Sequence, residues 1–180
     1  RGKLVYDQGI VTDFEKPDIP PHLDAQAHDT FHLPKLSAKD FANNRRKVII
    51  GMVDGQIITE DKGYADSVDV EKDILKMAVV ERHRNTGHIG LGYLQGYGLK
   101  EGAVATSVSH DSHNIICVGC NDEDMAFAVN CIAENEGGIV VVKDGVILHK
   151  DELSFGKRCV FVTALLYVRY ALTKIVITVC

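Results

Sequence analysis

The sequence predicts an α+β fold, a mixed or antiparallel sheet with hairpins and packed helices, and three observations carry that prediction. Short β-rich runs recur along the chain, separated by glycine, proline and aspartate. Two pairs of these runs are joined by Asp-Gly dipeptides, Asp54-Gly55 and Asp144-Gly145, which supply the positive φ values that tight hairpin turns require. One segment, Asp122 to Glu136, repeats apolar residues at the helical period instead. With 180 residues, 46% of them hydrophobic and 25% charged, the chain can bury a real core in one domain, or in one domain plus a fragment.

The elements follow in order. Residues 1–12 have strand character around Leu4-Val5-Tyr6 and Ile10-Val11, like the last hairpin strands of a unit already under way. Pro17, Pro20 and Pro21 then break the pattern, because proline fixes φ and removes a donor, and residues 13–30 are expected to be a linker. Val48 to Val53 and Gln56 to Thr59 form a first hairpin around Asp54-Gly55. Ile139 to Lys143 and Val146 to Leu148 form a second around Asp144-Gly145, expected to share its sheet. Asp69 to Met77 has helical spacing at Val70, Ile74 and Met77, and is read as a helix running into a strand at Ala78-Val79-Val80; a continuous helix to Arg82 fits the period almost as well. Gly87, Gly90, Gly92, Gly96 and Gly98 lack the strict spacing of a dinucleotide or phosphate loop and read as a closely packed structural segment. Ala103 to Val108 and Asn114 to Val118 are β-rich. The helix from Asp122 to Glu136 has Asn121 or Asp122 as N-cap, acids in its first turn and Gly137-Gly138 at its end.

Composition narrows the function classes. A net charge of −5 leaves no basic stripe for phosphate neutralisation, which argues against nucleic-acid binding. Five cysteines form no disulfide framework and no leader-like segment opens the chain, so a reducing, cytoplasmic compartment is expected. The final 22 residues are mostly apolar, but Arg169 and Lys174 interrupt them too early for a membrane span. His149-Lys150-Asp151-Glu152-Leu153 contains an internal retention-like string, which is read only at a free C-terminus.

The candidate chemistry concentrates in Ser107-Val108-Ser109-His110-Asp111-Ser112-His113-Asn114 (SVSHDSHN), expected at a sheet rim between two strands. His110 and His113, with Asp111 between them, have donors suited to zinc, manganese or iron, but positions three apart on a strand face opposite ways. They meet one metal only if Asp111-Ser112 bends into a turn, and a further ligand must come from elsewhere. A hydrogen-bonded turn lining another site is the competing reading. A serine-nucleophile reading lacks the Gly-x-Ser-x-Gly elbow. Cys117-Val118-Gly119-Cys120 is a lone C-x-x-C, read as free cysteines packing at a strand end rather than at a helix start. Glu81-Arg82-His83-Arg84 is either a solvated charged edge or an anchoring pair in a cleft.

Four blocks then carry a resemblance. VVERHRNTGHIGLG at Val79–Gly92, GYGLKEGA at Gly96–Ala103, SVSHDSHNII at Ser107–Ile116 and NDEDMA at Asn121–Ala126 together resemble the C-terminal region of microbial adenine deaminase, from about Leu33 to Leu148. The resemblance implies a hydrolase of the amidohydrolase superfamily converting adenine and water to hypoxanthine and ammonia, with manganese activating a hydroxide at the mouth of a β/α barrel. It also implies that the main metal ligands lie in the barrel, outside this chain. Residues 1–12 would end a small β domain, residues 31–150 would form the added C-terminal domain, and the chain would be a fragment, inactive by itself. The resemblance makes His110, Asp111, His113, Asn114 and Glu81 supporting catalytic candidates facing the barrel mouth, and His110 and His113 candidates for an extra metal contact. Adenine, the missing barrel and a possible homo-oligomer are the implied partners. Residues 151–180 depart from the family pattern after Ser154, and a frameshift near that residue explains the departure more simply than a membrane anchor; resequencing the coding DNA would decide it. The competing readings are a non-catalytic structural or dimerisation module covering a barrel enzyme, and an autonomous metallohydrolase that would hold stoichiometric metal.

Overall fold

The computed structural model describes Leu4 and residues 6–11, 18–43, 45–56, 58–109 and 112–151. The expectations for residues 152–180 lie outside the described residues. At the start, β1 (Tyr6–Asp7) and β2 (Ile10–Val11) pair as a small antiparallel hairpin whose turn holds Gln8 and Gly9 at positive φ. The segment read as a linker contains a helix, α1 (Pro21–His28), with proline in its first turn, where the missing N–H is no loss; it buries none of its residues.

The main body is an eight-stranded sheet in the order β10-β9-β7-β8-β5-β6-β3-β4, made of β3 (Lys47–Met52), β4 (Thr59–Ala65), β5 (Ile74–Val80), β6 (Ile89–Gln95), β7 (Ala103–Thr106), β8 (Ile115–Gly119), β9 (Ile139–Lys143) and β10 (Val146–Asp151). Neighbours are antiparallel except β3 and β6, so the sheet is mixed, as the sequence predicts. The two Asp-Gly hairpins do share this sheet and close its opposite ends. In the first of them the return strand begins only at Thr59 and runs to Ala65, later than the predicted Gln56 to Thr59.

The region read as a helix from Asp69 is instead a turn followed by β5. Asp69 and Ile74 exchange backbone hydrogen bonds of 2.8 Å in both directions, and Asp73 takes φ 54° to close the loop. Tertiary pairing overrides the local period here: β5 lies between β6 and β8 and is bonded along its length to both. The glycine-rich run is likewise strand β6 and its flanking loops.

Strand alternation divides the core into two clusters. Ala78, Val80, Ala105, Ile115, Cys117, Val140 and Val142 point to one face, where α3 (Asp122–Glu134) lays down Met125, Val129 and Ile132, each fully buried. Burial of side chains of this size contributes roughly 1.5–3 kcal/mol each. Asn121 caps α3 by accepting from the Asp124 N–H at 2.7 Å. The short α2 (Ala38–Phe41) carries a capping box between Ser37 and Asp40 and buries Phe41 against the same face. On the other face Leu75, Leu94, Val104, Val118 and Val141 form a second cluster, with Val68, Val70 and Tyr97 brought over by loops.

Candidate functional site

Antiparallel pairing gathers the chemistry at one end of the sheet. Val80 stands opposite both Ile89 and Ile115, and Thr106 stands opposite Ile116 and Ile139. The 81–88 loop, the SVSHDSHN segment and Gly137-Gly138 therefore leave the sheet side by side. The segment at 28–34 crosses the same rim: the His32 N–H donates to the Arg82 carbonyl at 2.6 Å, and the Asn85 N–H to that of His32 at 2.7 Å.

Arg82 is the keystone of this rim. Strand alternation continues past β5, so Arg82 follows Ala78 and Val80 onto the helix-covered face. Its side chain is 7% exposed and its guanidinium lies 4.1 Å from the Phe31 ring centroid. Nε donates to the His113 carbonyl at 2.5 Å, and Nη1 donates to the Thr30 carbonyl. Sequence reasoning left this residue between a solvated edge and an anchor; its period-2 relation to Val80 was the available signal. His83 adds a second tie, its ring Nε2 lying 3.0 Å from the Ser112 carbonyl oxygen.

Glu81 is engaged by its own loop. One carboxylate oxygen accepts from the N–H groups of His83 (2.6 Å) and Arg84 (2.9 Å), the other from the Thr86 hydroxyl (2.8 Å) and N–H (3.3 Å). The Thr86 hydroxyl bond, aided by these N–H groups, pulls the Glu81 carboxyl down to about 2. A depressed folded-state pKa stabilises the fold above the unfolded value, and the contribution is lost as pH falls through the folded one. We expect the protection of the His83, Arg84 and Thr86 amides, measured as exchange relative to the intrinsic rate at each pH, to hold from neutrality to about pH 4.5, the ordinary Glu value, and to fall as pH approaches 2. The same amides in Glu81→Gln should be less protected at neutral pH, with a protection that does not change across that acid range. Identical profiles for the two proteins would remove the carboxylate from the loop's structure.

Within SVSHDSHN, the described residues are Ser107 to Ser109 and Ser112 to Asn114. The His113 N–H donates to the Ser109 carbonyl at 2.8 Å, and His113 itself has φ 54°, a left-handed conformation. Ser107 is used structurally: its hydroxyl accepts from the Gly138 N–H at 3.0 Å, while Ser109 and Ser112 share a hydroxyl contact of 3.3 Å. His110 and Asp111 lie outside the described residues. The Asn114 amide oxygen is buried and has no hydrogen-bond partner among the described residues. His113, Asn114, Glu81 and Arg82 thus share one rim, with the Glu81 carboxylate bonded within its own loop.

The described residues do not by themselves assemble a metal centre, and the candidate contacts at His110 and Asp111 lie outside them. Among the described residues no group of three or more His, Cys, Asp or Glu side chains is placed to hold an ion. Cys117 and Cys120 correct the sequence reading in position, since Cys120 lies two residues before α3, at a strand-to-helix junction. Their chemistry remains that of packed thiols. Cys117 faces the helix-side cluster and Cys120 the other, and burial pushes the Cys117 thiol well above its usual range and that of Cys120 to about 11.

Residues 45–156 match the family described as the adenine deaminase C-terminal domain. An adenine deaminase of Brucella anthropi is 48% identical over 124 residues, covering 63% of this chain and 22% of the relative. One from Listeria welshimeri is 47% identical over 126 residues, covering 66% and 22%. One from Lysinibacillus sphaericus is 38% identical over 167 residues, covering 86% and 28%. The chain therefore spans roughly a quarter of the length of these curated relatives.

Proposed function

The chain belongs to the adenine deaminase C-terminal domain family, and on that premise we propose that it serves an enzyme hydrolysing adenine to hypoxanthine and ammonia, as the domain whose polar rim faces the catalytic barrel. The observation that carries the reading is the rim itself. Arg82 and His83 hold the SVSHDSHN segment by its backbone carbonyls, and the buried Asn114 amide oxygen beside them meets no donor among the described residues. A buried acceptor without a donor is costly, and a purine amino group or a barrel N–H would satisfy it.

In this reading manganese belongs to the barrel, where it would supply an activated hydroxide. The described residues of this chain do not form its site, so their part is to bind and orient. Asn114 accepts a hydrogen bond, and the His113 ring donates or accepts one at the edge of the adenine pocket. The compartment consistent with such an enzyme is the cytoplasm; no helix among the described residues is long and apolar enough to cross a membrane.

The test joins this chain, in place of the matched C-terminal portion, to the remainder of the Brucella anthropi enzyme and measures ammonia release from adenine. His110→Ala and His113→Ala should each lower turnover about tenfold, the equivalent of one lost hydrogen bond of about 1.4 kcal/mol. Wild-type rates in both would take the segment out of the site. A second reading is favoured by the self-contained bonding of Glu81 and Arg82: a purely structural or dimerising module. It requires that the same substitutions lower stability while turnover per folded active site stays normal.

A further inference from the structure

Half of one sheet face is apolar and has no layer packed on it among the described residues. Opposite the α3 side, Val79, Ile116 and Ile139 are half-buried and belong to neither packed cluster, and Val48, which flanks them across β6, is 40% exposed. The loops carrying Val68, Val70 and Tyr97 pack with the other cluster on this face, around Leu75, Val118 and Val104. Yet β5, β8 and β9 read Ile-Leu-Lys-Met-Ala-Val-Val, Ile-Ile-Cys-Val-Gly and Ile-Val-Val-Val-Lys, near-continuous apolar runs of the kind found in strands covered on both faces.

Two glycines sharpen the point. Gly90 and Gly92 lie within β6, paired with Val79 and Met77, and present their missing side chains to this same open face. Neither has positive φ. A Cβ at Gly90 would meet nothing nearer than the Val79 carbonyl oxygen at 3.9 Å, and one at Gly92 nothing nearer than that of Val48 at 3.5 Å, both ordinary contacts. Glycine inside a strand weakens it, so two in succession on one face without a conformational or steric need point to close approach by another backbone.

We propose that this half-face, with the Gly90-Gly92 trough at its centre, is the surface on which the catalytic remainder of the deaminase polypeptide seats an apolar helix or strand. The inference rests on the proposed function and supplies its docking geometry. Its occupant is argued from length, since more than two thirds of each matched relative lies outside the aligned stretch. Continuity supports it as well: the row Val79, Ile116, Thr106 and Ile139 borders the rim that carries Glu81 and His113.

The test compares the 180-residue chain alone with the same chain joined to the remainder of the Brucella anthropi enzyme. In both, Cys159→Ser and Cys180→Ser are made, Val79→Cys or Phe127→Cys supplies the probe, and labelling is read at the probe position itself by peptide mass spectrometry, so that other thiols do not enter the comparison. Phe127 lies on α3 and is 37% exposed. Maleimide labelling at 79 should be fast in the chain alone and at least about tenfold slower in the joined protein, with labelling at 127 equal in both. Gly90→Leu should leave the melting temperature of the chain alone unchanged or higher, and restore fast labelling at 79 in the joined protein. Equal labelling at 79 in both proteins overturns the proposal. So does protection already present in the chain alone, whether independent of concentration, which identifies the chain's own tail as the cover, or dependent on it, which identifies a second copy. If the joined protein does not fold, labelling of the chain alone still decides between an open face and these two covers, and a loss of stability in Gly90→Leu overturns the trough. Protection at 79 without ammonia release from adenine would sink the functional reading and leave the docking surface standing.

Discussion

Gly102→Ala is expected to cost the domain about 4 kcal/mol, a large part of the 5–15 kcal/mol that holds a domain together. Gly102 precedes β7 with φ 76°, a left-handed conformation that costs a Cβ-bearing residue roughly 1–2 kcal/mol. The added Cβ would stand 2.0 Å from the Val142 carbonyl oxygen and 3.1 Å from its carbonyl carbon. Those are backbone atoms of β9, which cannot swing aside as a side chain would, and forced overpacking adds about 1–3 kcal/mol. Relief requires β7 and β9 to part, and the Cys120 N–H bond to the Gly102 carbonyl would go with them. Urea unfolding followed by circular dichroism measures the loss. A change below about 1 kcal/mol would mean that the chain avoids the contact at almost no cost.

Arg82→Met should be the next most damaging change, at about 3 kcal/mol. Methionine keeps the stem and much of the volume, so the loss isolates the guanidinium. Two charge-assisted hydrogen bonds, to the carbonyls of His113 and Thr30, disappear together with the stacking on Phe31. Each such bond is worth about 1.5–3 kcal/mol and the stacking about 0.5–2, offset in part by no longer desolvating a cation. Arg82→Lys should recover less than half, because one ammonium cannot reproduce a fork that reaches two loops. Thermal melts report the global loss, and amide exchange over residues 107–114 reports the release of the rim. A melt within about 0.5 kcal/mol of wild type would show the rim to be held by something else.

What the sequence disclosed follows the range of the forces involved. The helix at Asp122–Glu134 and both Asp-Gly hairpins were legible because caps, turns and periods act within a few residues. Strand β5 was not, because Val70, Ile74 and Met77 satisfy a helical period by coincidence, and the strand is made by partners such as Gly90 and Ile116, distant in sequence. The site divided the same way. SVSHDSHN was conspicuous from its residue types, but Arg82, which orients it, resembled any charged residue near a loop. Its burial is created by Phe31 and His113, some fifty and thirty positions away, and no local pattern encodes that meeting. Glu81 was found for its charge, and its geometry shows that charge bonded within its own loop.

The outer strands bear on how an isolated domain would meet copies of itself. β4 reads Thr-Glu-Asp-Lys-Gly-Tyr-Ala, with a Lys62 to Glu60 ion pair of 2.6 Å on its surface, and its register with β3 shifts between Val48 and Ile50. At the far side β10 shifts against β9 between Ile147 and His149. Charges and bulges on outer strands spoil the straight row of free N–H and C=O groups that another chain would need to extend the sheet. Edge-to-edge extension of the described sheet is thereby opposed by charges and a bulge at β4, and by a bulge alone at β10, where Val146, Ile147 and Leu148 remain exposed.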